Sequence, residues 1–119
     1  MMSEGGVREP AVAGFFYPDD AEVLRRTVRA CLEEGRRRLR DADSAEAPKA
    51  LIAPHAGYVY SGPVAGSAYA AIESLRDRIE RVVLLGPSHR VAFRGLALSS
   101  ASVWRTPLGD VRLDRVGAA

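Results

Sequence analysis

Apolar and polar positions along this chain change period several times, and each change marks an element. Leu24, Val28, Cys31, Leu32 and Leu39 recur at helical spacing and form one stripe. Asp19 or Asp20 can cap that helix, and Glu22 suits its positive end. Ala50-Leu51-Ile52-Ala53 reads as a short strand stopped by Pro54. A second helix is predicted from Pro63, capped by Ser61 or Gly62, with Val64, Ala68, Ala71, Ile72 and Leu75 as its stripe. Its many small residues allow close approach to a neighbour. Arg81-Val82-Val83-Leu84-Leu85 reads as a second strand, stopped by Gly86-Pro87. Strand, helix and strand make a βαβ unit, and strands apolar on both faces suit parallel pairing beneath helices. Gly95–Ser99 is a further strand candidate. Val103-Trp104-Arg105 and Asp110-Val111-Arg112-Leu113 flank Thr106-Pro107-Leu108-Gly109, which predicts a hairpin. The expected fold class is α/β, with a βαβ-containing, mostly parallel or mixed sheet flanked by helices.

The opening segment has no period. Its Gly and Pro residues suggest a loop, within which Phe15-Phe16-Tyr17 either packs on the core or lines a pocket. Cys31 falls in the first helix's apolar stripe, so it reads as a small buried hydrophobe and not a reactive thiol. Arg36-Arg37-Arg38-x-Arg40 is flanked by Glu33, Glu34, Asp41 and Asp43, and reads as a solvated helix end with i,i+4 pairs. Residues 41–48 form a polar loop. No domain boundary is visible, and residues 1–119 read as a single unit.

Composition narrows the function classes. The chain has 119 residues, 47% hydrophobic and 27% charged, which excludes wholesale disorder. Net charge is only +2, which gives no electrostatic case for nucleic acid. No apolar stretch is long enough to span a membrane. The N-terminus MMSEGGVREP has neither a basic start nor an apolar run, so it does not read as a secretory leader. Cys31 is the one cysteine, so no intrachain disulfide forms, and a cytoplasmic setting is expected.

The candidate chemistry lies in the two histidines. His55 directly follows the first predicted strand and His89 the second. In a right-handed crossover both leave the sheet at one carboxyl edge, ~5 Å apart on neighbouring strands or ~10 Å with one strand between. Two imidazoles there could share a divalent metal, since neutral imidazole is a common ligand of zinc, iron and copper. The bland alternative is two unrelated loop histidines. Ser88 beside His89 is no nucleophile–base pair, because adjacent side chains in extended backbone point apart. Phosphate-binding glycine loops are also missing.

Four blocks carry a family resemblance. Arg8-Glu9-Pro10-Ala11-Val12-Ala13-Gly14-Phe15-Phe16-Tyr17, Pro54-His55-Ala56-Gly57-Tyr58-x-Tyr60-x-Gly62, Leu85-Gly86-Pro87-Ser88-His89 and Trp104-Arg105-Thr106-Pro107-Leu108-Gly109 resemble the signature blocks of the Memo-like family. That family is also called AmmeMemoRadiSam system protein B. It resembles the catalytic subunit of class III extradiol dioxygenases, which hold a non-haem iron. The resemblance implies that His55 and His89 are metal ligands, with iron as the first choice and copper or zinc as others. Tyr58, Ser61 and Ser88 would line the site. Arg90 stands where the family often has another histidine, and Ser61 where some members have cysteine. Members are well over twice as long and take their remaining ligands from the C-terminal half. The chain therefore resembles the N-terminal portion of a Memo-like domain, an incomplete fold. Glu9, Asp19, Asp20 and Asp110 are its candidate carboxylates, though none lies in a loop bound to reach the same edge.

The resulting expectation is a metal-binding protein whose cleft takes a small molecule or a peptide. The alternative is a non-enzymatic peptide- or protein-binding module that uses the same cleft. An exposed apolar sheet edge or face would also promote self-association.

Overall fold

The computed structural model describes residues 5–40 and 46–118. Asp41, Asp43 and most of the expected 41–48 loop lie outside them. The architecture is α/β, with a mixed three-stranded sheet and two α-helices. The chain divides into two units, one running from Ala11 to Ile79 and the other joining the residues up to Pro10 with those from Glu80 onward.

In the first unit, helix α1 spans Ala21–Arg40. The Asp20 carboxylate accepts the Val23 N–H at 2.8 Å, which makes Asp20 the cap. Leu24 is buried, and Val28, Cys31, Leu32 and Leu39 are half-buried along the expected stripe. The Arg run closes the helix as solvated ion pairs. Arg37 and Arg38 reach Glu34 at 3.0 and 3.2 Å, while Arg36 makes a two-pronged bond to Glu73 at 2.6 and 2.8 Å. Those pairings favour the helix-end reading of the run. The pairing with Glu73 ties the end of α1 to a short 3-10 turn at Glu73–Leu75.

Helix α2 spans Tyr58–Ala70, starting five residues earlier than Pro63 suggested. The acceptor that permits this is distant in sequence, because Phe16 O takes the Tyr58 N–H at 2.7 Å. Pro63 is accommodated inside the helix. Its ring nitrogen has no N–H to offer the Val59 carbonyl, and Val59 is 90% exposed. Gly62 before it has no Cβ to clash with the proline ring. The buried face of α2 is Ser61, Gly62 and Gly66, while Val64 of the expected stripe is exposed. Here the helices approach backbone to backbone. A Cβ on Gly66 would lie 2.5 Å from the Cys31 carbonyl carbon, and one on Gly35 would lie 2.5 Å from that of Gly66.

The second unit carries the sheet. Strands β1 (Val7–Arg8), β2 (Val103–Thr106) and β3 (Gly109–Arg112) lie in the order β1-β2-β3. β1 pairs parallel with β2, and β2 pairs antiparallel with β3. The hairpin is the expected one. Thr106 stands opposite Gly109, whose φ of +132° suits glycine at the turn exit. Arg105 binds Glu9 at 2.9 Å and Asp110 at 3.1 Å, which ties the start of the unit to the hairpin. The Arg8 guanidinium lies 6.0 Å from the Trp104 ring centre.

The runs 50–53, 81–85 and 95–99 belong to no ladder among the described residues, so the expected βαβ pairing is not found there. Ile52 is fully exposed, and Val82, Val83, Leu84 and Leu85 are all exposed. Only Leu24 and Ala101 are buried hydrophobic side chains among the described residues. Strand propensity is realised only when a pleated neighbour covers it, and among the described residues these runs have none.

Candidate functional site

The first unit contains a cavity of about 310 Å³ between α1, α2 and the 12–17 segment. Its size falls at the small end of ligand pockets. Three pieces of chain build it. Val12, Phe16 and Tyr17 come from a turn in which the Gly14 N–H donates to Tyr17 O at 2.8 Å, with Gly14 at φ +80°. Cys31 comes from α1. Tyr58, Ser61, Gly62 and Tyr69 come from one face of α2. His55 joins them from the loop that leads into α2, and its side of the cavity is exposed to solvent.

That loop is pinned locally. The buried Ser61 hydroxyl donates to Ala56 O at 2.7 Å, with Gly57 O at 3.2 Å. The bond ties the backbone just after His55 to the first turn of α2. Ser61 therefore supports the site through its backbone bonds. Tyr58 stacks obliquely on Tyr17, with ring centres 5.7 Å apart. Burial raises the Tyr58 phenol above its usual range, and the neighbouring Tyr17, Tyr69 and Cys31 push the same way.

The structure brings His55, Tyr58 and Ser61 together. Ser88 and His89 belong to the other unit, on an exposed segment. There the Ser88 hydroxyl donates to Val91 O at 2.6 Å, which shapes the turn around His89. Three of the four candidate carboxylates have other tasks: Asp20 caps α1, while Glu9 and Asp110 hold Arg105. Among the described residues no three His, Cys, Asp or Glu side chains gather as a metal cluster. Two imidazoles suit a borderline divalent metal by donor type, but a non-haem iron site also wants a carboxylate.

Sequence reading placed Cys31 in a core stripe and overlooked Tyr69. The signal for Tyr69 was present, since Tyr58, Gly62, Ala65 and Tyr69 recur at helical spacing on α2. That pattern was hidden by starting the helix at Pro63.

Comparison with known proteins adds the family. The model of the Memo-like protein family matches residues 8–117. A MEMO1 family protein of Aquifex aeolicus is 42% identical over 109 residues, covering 91% of this chain and 37% of its own length. One from Methanothermobacter thermautotrophicus is 43% identical over 111 residues, covering 91% and 39%. Another from Methanocaldococcus jannaschii is 39% identical over 112 residues, with the same coverages of 91% and 39%. The chain thus spans about two fifths of the length of these curated relatives. No solved structure matches it significantly.

Proposed function

The chain belongs to the Memo-like family, and from that premise we propose that it binds a divalent metal through His55 and His89. Iron is the first choice, and copper or zinc would suit the same donors. The carrying observation is the position of His55, an imidazole open to solvent at the edge of a preformed cavity whose loop is fixed by Ser61. When bound, the metal would supply Lewis-acid or redox chemistry of the kind extradiol dioxygenases use. The residues of the chain do the rest. His55 would serve as an imidazole ligand, Tyr58 places its phenol at the cavity wall, and Phe16 and Tyr17 line one side. Two ligands make a weak site, so the chain contributes part of a coordination sphere. Its setting is a reducing cytoplasm, where Cys31 stays a thiol.

Calorimetric titration of the purified chain with Fe(II) under anaerobic conditions, and with Cu(II) and Zn(II), tests this reading. His55→Ala or His89→Ala should weaken binding by more than the ~10- to 100-fold that loss of an outer-shell partner costs. Equal affinity in wild type and both variants would refute it and favour the peptide-binding module.

A further inference from the structure

We propose that the open edge of β3 pairs two copies of this chain, antiparallel and centred on Val111. The hydrogen-bond register identifies the free groups. The Leu113 N–H donates to Ser102 O at 2.9 Å, and bonding alternates along an antiparallel ladder. Residues 109, 111 and 113 therefore bond inward to β2, and the backbone N–H and C=O of Asp110 and Arg112 face outward. Among the described residues β3 is the terminal strand of the sheet, and all four of its residues are exposed.

An edge of this kind recruits another strand, and charge decides which one. About a two-fold axis at Val111, Asp110 stands opposite the second copy's Arg112, and Arg112 opposite the second copy's Asp110. Those are the pairs whose backbone groups point outward, so four main-chain bonds and two ion pairs form in one register. Opposite charges directly across a strand pair are favourable. Parallel in-register pairing would instead set Asp against Asp and Arg against Arg.

The surroundings favour the same arrangement. Glu9, Arg105 and Asp110 form a cluster with one surplus negative charge. Arg112 has no ion-pair partner among the described residues, although it lies on the same face of the hairpin. The second copy's guanidinium neutralises that surplus, and the Asp110 carboxylate has lone pairs for both arginines. On the opposite face, Val111 is 53% exposed and would meet its own copy. Arg81 bonds Asp114 at 3.2 Å, so the exposed Val82–Leu85 run begins beside the end of β3 and adds apolar area.

Sedimentation equilibrium across micromolar concentrations tests the pairing, with far-UV circular dichroism confirming the fold of each variant. Wild type should dimerise. Asp110→Arg or Arg112→Asp should each raise the dimer dissociation constant by about tenfold or more. The double reversal should restore it, and so should an equimolar mixture of the two single variants, where every facing pair is again opposite in charge. Arg112→Asp removes no ion pair within the described residues, so it remains informative if Asp110→Arg perturbs the hairpin. A monomeric wild type, or association indifferent to these reversals, overturns the proposal. The second result would assign association to the apolar runs alone.

Discussion

The sharpest structural test is Gly66→Ala. An added methyl would lie 2.5 Å from the Cys31 carbonyl carbon and 3.2 Å from its Cα, with the carbonyl oxygen nearer still. Carbon atoms prefer 3.5–4.0 Å, so α1 and α2 must separate by roughly 1 Å, and a gap of that size forfeits up to half the dispersion attraction along the seam. Overpacking costs ~1–3 kcal/mol, and the upper end applies because every clashing atom is backbone and has no rotamer to escape into. Alanine regains about 1 kcal/mol of helix propensity over glycine. The net expectation is a loss of about 2 kcal/mol. Urea titration followed at the helical circular dichroism band measures it directly, since α1 and α2 are the chain's α-helices among the described residues. Gly86→Ala is the control. Nothing lies within 4 Å of its added methyl, so the change should stay within about 0.5 kcal/mol. Unchanged or increased stability in Gly66→Ala would mean that the helices do not meet at these glycines.

Two further substitutions probe the first unit. Ser61→Ala removes the hydroxyl that holds Ala56 and Gly57, and should cost about 1 kcal/mol in the same titration; an unaltered midpoint would show that the loop does not depend on that bond. The Arg36 hydrogen bond, reinforced by its charge, holds the Glu73 carboxyl below its ordinary 4.5. The stability this adds is complete above the unfolded-state value and drains as pH falls through the lower folded value. Wild type should therefore lose stability more steeply than Glu73→Gln as pH drops below about 4.5, by a small margin that salt removes because both side chains are part-exposed. Identical acid profiles for the two proteins would rule the contribution out.

Legibility followed the range of the interactions. Helix α1 could be read because its cap, its stripe and its closing charges are all local, from Asp20 to the Arg37 and Arg38 pairs with Glu34. The hairpin was legible for the same reason, since Thr106 and Gly109 set its register within four residues. The start of α2 was not, because the group that accepts the Tyr58 N–H is Phe16 O, far upstream. Nor was the bond from Arg36 to Glu73, for which nearer carboxylates were the local expectation. At the site, His55 and Tyr58 stood out by their motif and residue type. Cys31 and Tyr69 declared themselves only once α1 and α2 were packed through glycine.

The unpaired runs show where a hydrophobic pattern stops being sufficient. Val82-Val83-Leu84-Leu85 has the composition of a buried parallel strand, yet its side chains are 68–86% exposed. Burying a Val or Leu side chain is worth ~1.5–3 kcal/mol, so four amount to roughly 6–12 kcal/mol. Whole domains are stable by only ~5–15 kcal/mol. A term that large is decided by what covers the run, which the run itself does not encode. Pattern states which residues gain from burial, and packing supplies the surface. The short charged β3 edge is a different case. Its backbone register and its two opposite charges select the register of a partner strand, and apolar contact at Val111 only adds to it. Association through β3 should therefore weaken as salt screens the ion pairs, whereas association through the 82–85 run should hold or strengthen.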